Sequence, residues 1–156
     1  MNILVKGYSR FVSVVSSLES PFLLAIRLYW GWQFMISGWG KMHAIPRFTT
    51  YFASLNIPLP SASAHFVAGV EFFGGILLIL GLASRLSALL LAGNMLVAYW
   101  TADHEALTSF FSDPDKFTSA AEITFLVAAL IILFLGPGLF SLDTLLAKRY
   151  KEEHHS

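Results

Sequence analysis

The stretch SAHFVAGVEFFGGILLILGLAS, residues 63–84, decides the fold class. It is as long as the roughly 20 residues that cross a bilayer core as an α-helix, and Glu71 is its one residue among Asp, Glu, Lys and Arg. Hydrocarbon offers no water to an unpaired amide, so so apolar a segment must close its own hydrogen bonds as a helix. Ala64, Ala68, Glu71 and Gly75 recur at spacings of four, three and four, which sets small side chains around a carboxylate on one narrow face. A carboxylate turned to lipid is heavily penalised, so the pattern predicts Glu71 facing a neighbouring helix, either paired or protonated.

Working outward, three further segments match in length and polarity, giving spans at about 22–41, 63–84, 86–102 and 118–136. The whole chain agrees: of its 156 residues 56% are apolar and 13% charged, against about 25% charged in an ordinary soluble domain, and the mean hydropathy is +0.66. Ser20-Pro21 opens the first span, Ser61 or Ser63 is placed to cap the second, and Gly136-Pro137-Gly138 stops the fourth. A turn at Ala83-Ser84-Arg85 makes the second and third spans a tight antiparallel hairpin. The expected architecture is all-α: an integral membrane four-helix antiparallel bundle, preceded by a short amphipathic interfacial helix. Its parts are an N-terminal segment 1–20, a four-span domain 21–146 and a charged tail 147–156 that ends in His154 and His155. In the first part Leu4, Tyr8, Phe11, Val15 and Leu18 recur at helical spacing among Lys6, Arg10 and serines. A cleaved signal peptide fits less well, because serines break the apolar run and no A-x-A site follows.

Lys6, Arg10, Arg85, Lys148, Arg149 and Lys151 fall on one side of these spans, and Lys41, Arg47 and Lys116 on the other. The positive-inside rule then puts both termini in the cytoplasm and residues 42–62 and 103–117 outside. Ten basic and ten acidic residues cancel, which excludes nucleic-acid binding as a primary role. With no cysteine there is no disulfide, iron–sulfur cluster or thiolate zinc site, and no G-x-G-x-x-G follows a strand, so redox chemistry would need a bound cofactor or a partner. His43, His65 and His104 share the outer end but show no ligand spacing on one helix, so no metal site is predicted. Trp39 and Trp100 read as belt aromatics at helix ends, while Trp30 and Trp32 sit deeper in the first span, where they face lipid or stack on a flat ligand, lipid contact being the preferred reading.

Ionisable and amide side chains within a span are functional candidates by default. Here they are Glu71 as a proton relay, and Arg27, Lys41, Gln33, Asn94 and Glu122 as ligand-binding groups. Counting about 1.5 Å per residue from the predicted span ends sets Arg27 level with Asn94 near the inner surface, Gln33 and Glu71 mid-membrane, and Lys41 and Glu122 at the outer end. Each has a plainer reading beside it: buried charges fix helix register, Lys41 snorkels to the interface, and Glu122 answers the dipole of the fourth span's first turn.

The order Arg27-Leu-Tyr-Trp-Gly31, Gly38-Trp-Gly-Lys41, Phe52-Ala-Ser-Leu-Asn-Ile-Pro58, Glu71-Phe-Phe-Gly-Gly75, Gly81-Leu-Ala-Ser-Arg85 and Gly136-Pro-Gly-Leu-Phe-Ser-Leu-Asp143 resembles the DoxX family over roughly residues 23–146. The resemblance implies a bacterial cytoplasmic (inner) membrane protein linked to quinone-coupled redox, as a quinone-binding subunit or anchor of a partner oxidoreductase. It carries over Arg27, Lys41 and Glu71 as a head-group site and implies quinone as the ligand, with no stand-alone catalytic signature. The alternative is a non-catalytic structural or assembly protein whose buried charges specify packing. Solute or proton transport ranks last, because four helices leave little room for an aqueous path without homo-oligomerisation.

Overall fold

The computed structural model describes residues 3–153, and every regular element among them is helical. They are α1 (Ile3–Ser17), α2 (Glu19–His43), α3 (Ile45–Ser54), α4 (Pro60–Leu80), α5 (Ser84–Thr101), α6 (His104–Thr108), α7 (Pro114–Ser119), α8 (Ala121–Leu135) and α9 (Leu142–Glu153). Among the described residues two helical stretches are long and apolar enough to cross a membrane: Val5–His43, which runs from α1 into α2, and Pro60–Leu80. The other two expected spans correspond to α5 and α8. α8 is apolar but has 15 residues, and α5 has 18 residues with Ser84, Arg85, Ser87 and Asn94 diluting its leucines.

Glycine sets the helix contacts. α2 packs along α4, and a methyl group on Gly31 would come within 2.9 Å of the Gly75 carbonyl, while one on Gly75 would come within 2.6 Å of the Gly31 carbonyl. Two turns further along, a methyl on Gly38 would meet the Ala68 carbonyl at 2.7 Å. The two backbones therefore touch with no side chain between them, the close approach that small residues permit in apolar surroundings. α5 packs along α8, and Phe34, Leu78, Ala88, Leu91, Met95, Leu126, Ala129 and Ile132 join α2, α4, α5 and α8 in one apolar core. Phe125 of α8 meets both Trp30 and Phe34 edge-on, at centroid distances of 5.0 and 4.7 Å.

Several boundaries differ from the sequence expectation. α4 ends at Leu80, not Ser84, because Gly81 adopts a left-handed φ of 68° and the amides of Gly81 and Leu82 fold back on the carbonyls of Leu78 and Leu77. The turn is thus Gly81-Leu82-Ala83. Asp143, distant in sequence, secures it: its carboxylate accepts from the Ala83 amide at 2.7 Å and the Ser84 amide at 2.9 Å, and its own amide donates to the Gly81 carbonyl. That is an N-cap for α5 supplied by another element, and it holds Ala83 at its unfavourable φ of 47°. Neither Ser61 nor Ser63 caps α4; its N-cap is Leu59, and the Ser63 hydroxyl donates to the Pro58 carbonyl. The segment between α2 and α4 is not an open loop but carries α3, started by Pro46 in its first turn. Likewise α6 and α7 occupy much of 103–117, and the fourth apolar helix begins at Ala121 rather than Thr118.

α1 continues towards α2 through hydrogen bonds of Leu18 to Val15 and Phe22 to Leu18. Tyr8, Phe11, Val15 and Leu18 are exposed along it, as are Lys6 and Arg10. The expected charged tail is helical through Glu153, since Leu142 opens α9. The side chain of Leu4, and His154 with His155, lie outside the described residues.

Candidate functional site

Glu71 points from the middle of α4 into a cluster supplied by three helices. Its Oε1 accepts from Lys41 Nζ at 2.5 Å and from Asn94 Nδ2 at 2.9 Å; its Oε2 accepts from Lys41 Nζ at 2.5 Å and from Ser37 Oγ at 2.8 Å. Four donors thus meet the four lone-pair positions of a carboxylate. Local helix geometry explains the assembly. Ser37 and Lys41 are one turn apart on α2, so both lie on the face that Gly38 brings against α4. Glu71 lies nine residues before the last residue of α4 and Asn94 ten after the first of α5, so the turn between them sets the two at one height. Glu71 is 1% exposed and Lys41 21%, so the carboxylate is the partner with no route back to solvent.

These groups stand at the polar wall of a half-open cavity of about 1000 Å³ enclosed by α2, α3, α4, α5 and the start of α8. Its lining is mainly apolar and aromatic: Phe34 from α2, Phe48, Tyr51 and Phe52 from α3, Phe66 from α4 and Phe125 from α8. α3 forms one wall through these residues, and Lys41 Nζ lies 5.9 Å from the Phe48 ring centre. A largely apolar hollow with a few convergent polar groups is the usual form of a small-molecule site. Lys41 spends two of its three N–H donors on Glu71, which leaves one for a ligand. Glu71 has no free acceptor position in this arrangement.

Glu122, in the first turn of α8, lines the same cavity. Its carboxyl is in hydrogen-bond contact with its own backbone N–H and with the Asp103 carboxyl, and its Oε2 is shut off from solvent. Gln33 is half-buried on α2 and is not among the lining residues.

Arg27 and Asn94, expected to stand level, do not meet. Arg27 is 1% exposed and lies at the turn end, where Nε donates to the Leu78 carbonyl at 3.0 Å, Nη2 to Phe140 at 2.9 Å and Ile79 at 3.4 Å, and Nη1 to Pro137. It therefore satisfies the open carbonyls at the end of α4, where a cation is favoured, and ties the 137–140 segment to them. The count of heights failed because the turn lies at 81–83 rather than 83–85, which moves Asn94 up to Glu71.

Sequence reasoning overlooked Ser37 and the aromatic face of α3. The first was legible as the position one turn before Lys41, and the second as Phe48, Tyr51, Phe52 and Leu55 at spacings of three, one and three. His43 and His65 engage their own helices, with Nδ1 within hydrogen-bond distance of the Trp39 and Ser61 carbonyls, and the His104 ring of α6 packs edge-on against Trp100 of α5.

Outside the membrane-like core, Lys116 of α7 bridges to Glu105 of α6 at 3.0 Å. The hydrogen bond and charge of Lys116 hold the Glu105 carboxyl below its ordinary value.

Known proteins match the chain at the level of sequence. A family model described as DoxX matches residues 22–104, which include α2 to α5 with Ser37, Lys41, Glu71 and Asn94. The "Inner membrane protein YqjF" of Escherichia coli (strain K12) is 26% identical over 136 residues, which is 87% of this chain and 100% of that protein. The "Putative oxidoreductase CatD" of Bacillus subtilis (strain 168) is 31% identical over 83 residues, 53% of this chain and 60% of that protein. No solved structure matches the chain.

Proposed function

The chain belongs to the DoxX family, and on that footing we propose that this membrane protein binds an uncharged, quinone-like amphipathic molecule in the α2–α3–α4–α5–α8 cavity and serves a partner oxidoreductase there. The observation that carries the reading is one geometry: a mainly apolar hollow of about 1000 Å³ that ends on the Lys41–Glu71 pair. The remaining Lys41 N–H stabilises a ring oxygen as it gains negative charge, with Glu71 fixing the ammonium in place. The aromatic residues of α3 and α8 hold the flat or hydrocarbon part of the ligand. Arg27, carried over with this pair from the family resemblance, serves the fold instead, because its donors are used on backbone carbonyls. The electron donor is a separate subunit, in keeping with the absence of any cysteine or dinucleotide motif in the chain.

The same reading includes four membrane passes, α2, α4, α5 and α8, with both termini in the cytoplasm. α5 fits because Asn94 turns its amide to Glu71 and Ser84 and Ser87 are buried, so its polar groups avoid lipid. α8 reaches only roughly 22 Å at 1.5 Å per residue, and the apolar Leu139 and Phe140 extend its end beyond the Gly136 stop. α1 lies on the inner surface, with Lys6 and Arg10 toward anionic lipid.

Titration of a short-chain quinone into the protein in nanodiscs tests the proposal. Saturable micromolar binding that Gly93→Phe abolishes supports it: Gly93 lines the cavity and a side chain there meets nothing within 4 Å. No saturable binding by the unaltered chain removes it. A second reading, a structural or assembly protein, is favoured by the four hydrogen bonds that fill Glu71 and the four that Arg27 makes to backbone carbonyls. It predicts that Glu71→Gln lowers stability while leaving quinone binding and any redox-linked phenotype unaffected.

A further inference from the structure

We propose that the ligand of this cavity carries a long apolar tail, which leaves the bundle sideways between α4 and α5 and lies in a groove along the outside of these two helices; this deepens the ligand-site reading above and rests on it. The groove is a second hollow, of about 350 Å³. It follows α4 from Phe66 through Gly69 and Phe73 to Leu77, with Ser87 and Leu90 of α5 as its other wall. Spacings of three, four and four keep the α4 residues on one face, and from Phe66 to Leu77 is roughly 16 Å at about 1.5 Å per residue. A side chain on Gly69 would meet nothing within 4 Å, so the floor between the Phe66 and Phe73 rings is open. No Asp, Glu, Lys or Arg lines the groove among the described residues, which suits a hydrocarbon chain and no second charged head.

Continuity with the larger cavity names the occupant. Phe66 and Leu90 line both hollows, so the cavity runs on into the groove along these two side chains. On the cavity side of the junction α5 presents Leu90, Gly93 and Val97 at spacings of three and four, all of them exposed, as is Phe66 of α4. These are faces that the four-pass reading turns to the bilayer, so the way to Lys41 opens on hydrocarbon. The hollow thus grades from the Lys41–Glu71 pair at its polar wall to an apolar exit, the order of head and tail in a membrane-borne amphiphile. A free lipid chain also fits an apolar groove. Only a tail joined to a head held beside Lys41 leaves the groove when a tail-free molecule takes the head's place.

Photo-crosslinking of the full chain in nanodiscs, using a benzoquinone with a decyl tail that ends in a diazirine, followed by peptide mapping, reads where the tail lies. Cross-links within residues 66–77 and 87–90 are expected, falling about tenfold when excess tail-free quinone is added. Gly69→Trp, which fills the groove floor from a position with open space around it, should lower them about fivefold. Cross-links that resist the competitor, that spread over the other lipid-facing helices, or that persist unchanged in a folded Gly69→Trp overturn the inference; saturable binding of the tail-free quinone in the same sample then leaves the cavity standing as a ligand site. No saturable binding of the tail-free quinone overturns the ligand-site reading and this inference together. The competition in the unaltered chain decides the matter if the variant fails to fold.

Discussion

Replacing Lys41 by methionine should harm this protein more than replacing Glu71 by glutamine, although both remove the same ion pair. The reason is the unequal burial of the two partners: Glu71 is 1% exposed and Lys41 21%. In Lys41→Met the carboxylate stays buried with Ser37 and Asn94 as its two remaining donors. An uncompensated buried charge costs about 3–5 kcal/mol, and the two surviving hydrogen bonds put the value near the lower end. In Glu71→Gln the amide keeps the shape and the acceptor positions of one oxygen while its NH2 faces former donors, and Lys41 can extend to solvent along its flexible stem, so the loss is about 1–2 kcal/mol. Replacing both, as Lys41→Met with Glu71→Leu, exchanges the pair for apolar groups of similar volume and should cost about 1 kcal/mol or less relative to the unaltered protein. For a chain of this length about 3 kcal/mol corresponds to roughly 6–12 °C in Tm. Thermal unfolding in one detergent, followed by intrinsic fluorescence, reads all four proteins side by side. A Lys41→Met protein as stable as the parent, or a double variant no more stable than Lys41→Met alone, would refute the argument.

Other sites give independent checks. Arg27→Lys, which keeps the charge but not the fork of donors that reaches Leu78, Pro137 and Phe140, should lower Tm and expose the 137–140 segment to protease. Gly38→Leu puts a side chain where α2 and α4 touch through backbone and should prevent folding, whereas Gly93→Leu, with open space around it, should be tolerated in circular dichroism and melting. Asp143→Ala removes the remote cap of α5 and should cost about 1–2 kcal/mol, visible as faster amide exchange at residues 83–85. Glu105 has a depressed folded-state value, so its small stabilisation is present above the unfolded carboxylate range and is lost as pH falls through the folded value. NMR titration should find that Lys116→Ala returns Glu105 to the ordinary range with no measurable change in neutral-pH stability, because the pair is exposed.

The elements were legible where local pattern decides them, and the contacts between elements were not. The small-residue face around Glu71 and the α2 face of Arg27, Gly31, Phe34, Gly38 and Lys41, at spacings of four, three, four and three, follow from helical spacing alone, and the two faces do meet. Height across helices depends on where turns close. A left-handed Gly81 ends α4 three residues before the expected turn residue Ser84, which was enough to misplace Asn94 against Arg27. The cap from Asp143 and the Arg27 contacts to 137–140 join residues 60 and 110 apart in the chain, and no local periodicity encodes them. α3 hid because ten residues of mixed polarity between two apolar helices resemble a loop unless their aromatic spacing is counted.

The central claim is that the cavity holds an amphipathic molecule. Mass spectrometry of small molecules co-purifying from the native membrane, with the unaltered chain beside Gly93→Phe, tests it most directly. One enriched, non-phospholipid amphiphile near stoichiometric amount in the unaltered protein and absent from a folded Gly93→Phe is the predicted result. Bulk phospholipid alone in both would contradict the account and leave the buried charges with the task of holding helices together.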